Sequence, residues 1–443
     1  MSTNSILSQM PLDLGDNLTL RFARPDDVDK LAEFNARIHE EEPVGIATRD
    51  YMSGRHPTMK ASDFTVVEDT QTSRIVSSMN LISQTWAYGG IPFKCGRPEL
   101  VGTDAKYRRR GLVRKQFEVV HAMSAARGEL MLGITGIPWY YRLFGYEMAM
   151  DDEGSRSIDG AHLPKLKEGT SETCHLCPIT PDDHTFIQEV YGHAIRRHPF
   201  AALRSQKEWD YEFNGRSEGN DDRREWSIIV TAEGERLGYV QYFPLLYESK
   251  SFIDQIELKP GVGYLGLMSS LLRGLWANAQ NMYDTKDKNN REVKAIQLSL
   301  GRDHPAYKVI PKHLVQTEEP YAWYIRVPDL VAFLRHIRPA LEKNLEGTVA
   351  EGYSGNLKLN FYQSGIKFEF ERGQITESSD WSPESFEDGD AQFPDLTFLQ
   401  LLCGRRRLEE LDASFADCWA SDEATVLLDC LFPPFTGEIW QLA

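Results

Sequence analysis

Between Leu100 and Tyr146 the chain reads, in order, as an apolar strand, a basic glycine turn, a helix, a second apolar strand and an aromatic turn, a succession that constrains the fold more than any other stretch. The turn is Tyr107-Arg108-Arg109-Arg110-Gly111-Leu112-Val113-Arg114. At a helix N-terminus the first backbone N–H groups have no intrahelical partner and the helix dipole favours an anion, while glycine lets the backbone come close to it. Three arginines ahead of such a glycine suit a phosphate; for the arginines alone, a solvated basic turn is the competing reading. Val113, Phe117 and Val120 recur at helical spacing, and Gly128 suits the position just past the helix. A short strand from Glu129 to Ile134 follows, then Pro138-Trp139-Tyr140-Tyr141-Arg142-Leu143-Phe144-Gly145-Tyr146.

The flanking chain reads as three units. In the first, residues 15–155, Leu18 to Phe22 alternates like a strand, and Pro25-Asp26-Asp27 opens a helix carrying Val28, Leu31, Phe34 and Ile38. Strands are expected over 63–68, 74–82 and near 99–103, with Gln84-Thr85-Trp86 in a loop that lines an acceptor pocket. Residues 158–173, with Gly160, Pro164 and Gly169, read as a linker. A second unit, 174–327, repeats the opening as strand, Pro181-Asp182-Asp183 and helix, and adds strands over 226–231, 237–242, 251–258, 293–300 and 321–327. At the place of the arginine turn it has Gly261, Gly263 and Gly266 with no arginine, so it is expected to be a degenerate copy that shapes the acceptor pocket; Asp284, in a polar loop, does not complete a dinucleotide fingerprint. The third unit, 328–443, reads as a helix through Val331 to Leu345, a hairpin turning at Gln363-Ser364-Gly365, and helices capped by Asp395 and Ser421. Ile439 and Trp440 make the tail partly apolar, so it is expected to dock.

Composition narrows the function classes. A length of 443 residues implies more than one domain. The 66 acidic against 49 basic residues, a net charge of −17, argue against nucleic acid and a membrane surface and suit a cationic acceptor. No apolar run is long enough to span a bilayer, and residues 1–16 do not read as a signal peptide. Six scattered cysteines fit a reducing compartment, so a cytoplasmic location is expected. Cys174-His175-Leu176-Cys177 has metal-site spacing but lies in a strand pattern that sends the two sulfurs to opposite faces, and no metal is expected.

The stretch from Val101 to Tyr146 resembles the acetyl-CoA site of the GNAT acetyltransferase superfamily. That family's Arg/Gln-x-x-Gly-x-Gly/Ala appears as Arg108-x-x-Gly111-x-Val113, with Val for the last small residue, and its Tyr-x-x-x-Gly-Phe/Tyr as Tyr141 to Gly145-Tyr146. Two such units followed by a sterol-carrier-like unit is the order of the enhanced-intracellular-survival (Eis) acetyltransferases. The resemblance implies an α/β (α+β) fold of tandem GNAT domains and a sterol-carrier-like domain, and acetyl-CoA as co-substrate. It implies a small-molecule or peptide amine acceptor and a homo-oligomer, a hexamer in that family. By the same resemblance Val101, Gly102 and Thr103 pair with the pantetheine arm, and Arg108, Arg109, Arg110, Gly111, Leu112, Val113 and Arg114 hold the pyrophosphate. Tyr141 is the general acid, since a phenol stays protonated at neutral pH and can protonate a departing thiolate. The base is the C-terminal carboxylate of Ala443, with Glu99 the alternative. A lipid carrier or a non-catalytic CoA sensor are the other classes left open.

Overall fold

A computed structural model describes residues 4–152, 154–285, 292–394, 396–434 and 439. Three sheets organise it. The first contains the strands Leu12–Asp13, Leu18–Phe22, Phe64–Asp69, Arg74–Tyr88, Ile91–Thr103, Met131–Ile134, Tyr321–Arg326 and Glu147–Asp152 in that spatial order, with Phe200–Leu203 pairing against Arg74–Tyr88. The second runs Gln316–Glu318, Ser155–Asp159, Ala295–Leu298, Lys250–Leu258, Arg236–Tyr242, Glu225–Val230, His175–Pro178. The third is built from Gln374–Trp381, Gly365–Glu371, Gly355–Asn360, Ala391–Gln392 and Trp419–Ala420. Helix and sheet content is mixed throughout, as the α/β reading requires.

The two larger sheets exchange strands. Tyr321–Arg326 inserts antiparallel between Met131–Ile134 and Glu147–Asp152. Ser155–Asp159 inserts antiparallel between Ala295–Leu298 and Gln316–Glu318. Sequence order had put the first of these in the second unit and had begun a linker at Ile158. Both strands are short and their partners are distant in the chain, so local pattern carries no trace of which sheet they join.

The opening motif is the same in both halves. Asp27 accepts two hydrogen bonds from Arg21, at 2.7 and 2.8 Å, and one from the Arg24 N–H. Asp183 accepts from the Thr180 N–H at 2.8 Å and pairs with Arg236. In each case a carboxylate three residues past the extended residue caps the first helical turn.

The hairpin Arg74–Thr103 is longer than expected. Its first strand runs on to Tyr88, so Gln84, Thr85 and Trp86 are sheet residues and not a loop. Trp86 is fully buried edge-on against Trp323 and its indole N–H donates to Gln84, 2.7 Å away, so it does not line a pocket. The alternation simply continues through a polar stretch because the polar side chains find partners. The hairpin turns at Gly89, where φ is +54° and an added Cβ would stand 2.6 Å from the Ala340 methyl. That close approach brings the helix Leu330–Leu345 against the hairpin, and Tyr88, Phe93 and Phe333 share one core with Phe368 of the third sheet. The helix Phe398–Leu402 and the Ser421 cap of Asp422–Leu431 stand as read, while Asp395 lies outside the described residues. Among the described residues, no helix is long and apolar enough to cross a membrane.

Candidate active site

The site begins where two parallel strands part. Ile91–Thr103 pairs with Met131–Ile134 only through Cys95 with Met131 and Gly96 with Leu132. Beyond Gly96 that edge is unpaired toward Met131–Ile134. A register shift against Ser78 and Asn80, with Leu100 at φ +51°, marks a bulge that bends the strand away. Val101, Gly102 and Thr103 therefore lie on an open strand edge. On the other side Ser77 Oγ donates to the Gly102 carbonyl at 2.9 Å and sits 2.8 Å from Thr103 Oγ1, which fixes this segment to the hairpin.

The basic turn follows at once. Asp104 accepts from the Lys106 N–H at 3.1 Å and pairs at 3.0 Å with Arg37 of the helix Val28–His39. Tyr107 donates to Asp69 at 2.6 Å, anchoring the loop. Arg110 stacks over Tyr107 and Arg114 over Phe144, while Arg108, Arg109, Arg110 and Arg114 are all exposed. Gly111 has φ +75° and nothing within 4 Å of where a Cβ would stand. Glycine is thus required by the backbone, and the space above it is open. Leu112 is buried in the core and Val113 half-buried, seating the helix Leu112–Ala126 with its N-terminus toward that space. An open glycine, a helix N-terminus and four exposed guanidinium groups fit a diphosphate.

Tyr141 lies in the helical turn Tyr140–Phe144, 4% exposed, with its ring edge-on to Tyr140 and Tyr324. Its hydroxyl would stand 3.3 Å from a Cβ at Gly136, so a side chain there would crowd the phenol. Burial, and after it the negative charge of Glu99, push the phenol's pKa well above its ordinary value, which keeps the proton on oxygen. Glu99 is held by an ion pair to Arg97, itself 2% exposed and stacked over Trp323. Ala443 and Trp440 lie outside the described residues.

The structure adds residues that sequence reasoning missed. Tyr324 arrives on the exchanged strand. His39, at the end of the helix Val28–His39, is within electrostatic reach of Glu99 and Glu41. From the second unit, a loop closes over the first: Asp50 accepts from the Ser217 N–H at 2.8 Å, from Ser217 Oγ at 2.6 Å and from Asn220 Nδ2 at 2.8 Å. Beside this junction Tyr51 donates to Asp222 at 3.2 Å. Burial and then the Asp222 charge push Asp221 up to about 7. Glu41 also acts on Asp221, so one acidic wall is assembled from two units. The signals were the Glu40-Glu41-Glu42 run at a helix break and the Asp221-Asp222 pair in a Gly/Asn loop. Neither says which other segment it faces. Among the described residues, no group of three His, Cys, Asp or Glu could hold a metal ion. Cys174 is buried and Cys177 exposed.

In the second unit the same place is filled. Lys250–Leu258 pairs in parallel with Ala295–Leu298 through residues 250–253 and then parts from it. Arg197 makes a two-pronged ion pair with Glu257, His304 Nε2 lies 3.5 Å from the same carboxylate, and Tyr264 donates to the Ile256 carbonyl at 3.1 Å. The remaining cavity is only about 30 Å³.

With this geometry in place, residues 19–149 match the model of the acetyltransferase (GNAT) domain. The chain therefore carries an acetyltransferase domain of the class that uses acetyl-CoA as donor and amines as acceptors, and the open strand edge, glycine turn and Tyr141 fall within it. Across its whole length the fold is similar to solved structures. A probable N-acyltransferase of Enterococcus faecalis V583 aligns at 14% identity over 95% of this chain and 97% of its own, with a TM-score of 0.67. A GCN5-related N-acetyltransferase of Anabaena variabilis aligns at 12% identity, 95% and 99% coverage and TM-score 0.66. Eis1 of Mycobacterium abscessus aligns at 14% identity, 95% and 99% coverage and TM-score 0.59. No curated protein sequence matches the chain.

Proposed function

We propose that the protein is an Eis-like N-acetyltransferase that moves the acetyl group of acetyl-CoA to an amine by direct attack in a ternary complex. The observation that carries this is the pairing of an open strand edge at Val101 to Thr103 with the Gly111 turn and the buried, protonated Tyr141. Acetyl-CoA supplies the acyl carbon as a thioester. Val101, Gly102 and Thr103 hold its pantetheine arm along the strand edge, and residues 108–114 hold its diphosphate. Tyr141 gives a proton to the leaving sulfur. The acidic wall of Glu41, Asp221 and Asp222 favours a cationic acceptor such as a polyamine, an aminoglycoside or a lysine side chain. Family resemblance gives the base to Ala443, with Glu99 the alternative; Glu99 is already committed to Arg97. The domains are proposed at 15–155, 174–327 and 328–443, allowing for the exchanged strands, with a homo-oligomeric assembly of hexamer type. Six free cysteines support a reducing, cytoplasmic setting.

The experiment is thiol release from acetyl-CoA with spermine, kanamycin and a lysine peptide in turn, together with calorimetry. One acetyl-CoA per chain and release with at least one amine are expected. Two equivalent sites, or no release with any of them, would count against the proposal.

A second reading attaches to residues 328–443. A cavity of about 920 Å³ opens there, with Leu330, Val331, Phe361, Leu396, Phe398 and Leu399 in its wall and Asp329, Asp380 and Asp417 also lining it. A cavity of that size, part apolar and part acidic, supports a sterol-carrier-like domain that binds a lipid. Displacement of a fluorescent fatty acid from the full chain would support it; absence of saturable binding would leave the domain as scaffold.

A further inference from the structure

The cavity in residues 328–443 carries charge of one sign only. Leu330, Val331, Phe398 and Leu399 give it an apolar wall, and Asp329, Asp380 and Asp417 also line it. Among the described residues, no lysine, arginine or histidine lines it. All three aspartates are exposed, whereas Val331, Phe398 and Leu399 are buried, so the carboxylates belong to the mouth and the apolar side chains to the interior. Asp329 caps the helix Leu330–Leu345 by accepting from the Ala332 N–H at 2.8 Å, and Asp380 stands opposite Ile366 in the third sheet. Neither Asp380 nor Asp417 forms an ion pair among the described residues. Tyr362, also in the wall, has φ +67°. Its N–H donates to Asn360 Oδ1 at 2.7 Å and its hydroxyl to the Asp417 carbonyl at 2.5 Å, which fixes the phenol beside that aspartate. Trp419, two residues past Asp417, is exposed as well and pairs across the sheet with Gln392.

We infer that this cavity takes a long-chain amphiphile whose head group is an ammonium. The inference rests on the lipid-binding reading of residues 328–443 and names the head group that reading leaves open. The apolar wall takes the chain, and binding gains in proportion to the apolar area removed from water. The aspartates then select the head group. A carboxylate or phosphate head would meet three like charges with no cation among the lining residues to offset them. A neutral hydroxyl would leave the charge of the mouth without a partner. An ammonium pairs with the carboxylates and finds aromatic faces close by at Tyr362 and Trp419, a combination that favours a cation. The N-acetylated form of the same molecule is a neutral amide, so the cavity distinguishes an amine from its acetyl derivative.

Calorimetry on the full chain, at low ionic strength and below micelle-forming concentrations, tests this with probes of one chain length: dodecylammonium, dodecanoate and N-dodecylacetamide. Dodecylammonium should bind about tenfold or more tightly than either of the others, which should still bind saturably. Added salt should narrow the gap. Asp380→Asn combined with Asp417→Asn, both at exposed positions, should bring dodecylammonium down to the level of the acetamide with the melting temperature unchanged. Asp221→Asn, at the acidic wall between the first two units, should leave dodecylammonium binding as it was. Dodecanoate or the acetamide binding as tightly as dodecylammonium overturns the head-group assignment and leaves the lipid-binding reading standing. Dodecylammonium binding that survives the double substitution, or that falls with Asp221→Asn, overturns the assignment to this cavity. No saturable binding of any of the probes overturns the lipid-binding reading and the inference with it.

Discussion

The two parted-strand sites of this chain start from the same topology and end in opposite states. In the first unit, the edge from Arg97 to Thr103 is open toward Met131–Ile134 and ends in a glycine turn rich in exposed arginine. In the second, the edge past Ile253 is closed by Arg197, Glu257, His304 and Tyr264, and the glycine turn carries no arginine. The difference shows what keeps such a fold binding-competent. Parting two strands exposes backbone N–H and C=O groups that must be satisfied. In the second copy the Tyr264 hydroxyl takes up the Ile256 carbonyl; in the first the edge is left open for the ligand proposed above. The copy that keeps exposed arginines keeps an open edge, and the copy without them has a buried ion pair in its place.

The largest effect should come from breaking the plug. Against the burial that would raise it, His304 and Arg197 hold the Glu257 carboxyl down to about 2. Arg197→Ala leaves that charge buried without its main partner and should cost about 3–5 kcal/mol. Urea unfolding would read this directly, and Glu257→Gln on top of it should recover part of the loss. Acetyl-CoA stoichiometry should stay at one per chain in both. A variant as stable as the wild type would mean the cluster is not what holds the second site shut.

The matching change in the open site is smaller in energy but decisive for turnover. Tyr141→Phe keeps the ring packing against Tyr140 and Tyr324 and removes the proton donor. Turnover should fall by about 100-fold with acetyl-CoA affinity unchanged. Tyr264→Phe, in the closed site, should leave turnover alone and cost about 1 kcal/mol for its lost hydrogen bond. Equal turnover in Tyr141→Phe would move the acid role to Tyr140.

The contrast also bears on what could be read from sequence. The open site was legible because its parts are consecutive: strand, Arg108 to Gly111, helix, Tyr141 to Tyr146. The plug was not, because Arg197, Glu257 and His304 are brought together only by tertiary folding. The glycines at 261, 263 and 266 showed only that arginine had gone, not what had replaced the ligand. Tyr324 and His39 were missed for related reasons. Tyr324 reaches the site on a strand exchanged between sheets, and His39 looks in sequence like an ordinary helix-ending residue. Gln84 to Trp86 was misjudged because its polar character is satisfied internally by the Gln84–Trp86 bond.

Acid should destabilise both the junction between the halves and the first unit. His56 packs edge-on against Tyr51 of the first unit and Tyr211 of the second. Burial, and then Arg216, lower its pKa to about 3. Burial likewise lowers His121, beside Tyr146, to about 3. The unfolded value is about 6.5, so the unfolded chain binds these protons first. Stability is therefore complete above about pH 6.5 and falls as pH drops from there toward 3. A melting-temperature series should decline over that window, and His56→Gln should flatten it in part. An unchanged slope would show that His56 is already charged in the folded protein.

The smallest effect tests what the closed unit gives the open one. If the second unit is more than packing, its contribution is the acidic wall at Asp221 and Asp222. Asp221 has a pKa of about 7 because it is buried beside Asp222, so near neutrality the pair carries less than its full charge. A bound polycation would favour the ionised form and lower that pKa, so acceptor binding should release protons near neutral pH. Asp221→Asn removes the charge without changing the shape and should raise the KM for spermine several-fold, about 1 kcal/mol, with kcat and the KM for acetyl-CoA unchanged. Calorimetry in two buffers of different ionisation enthalpy should show proton release in the wild type and less in Asp221→Asn. The same release in both would separate the wall from acceptor recognition and leave the second unit with a packing role alone.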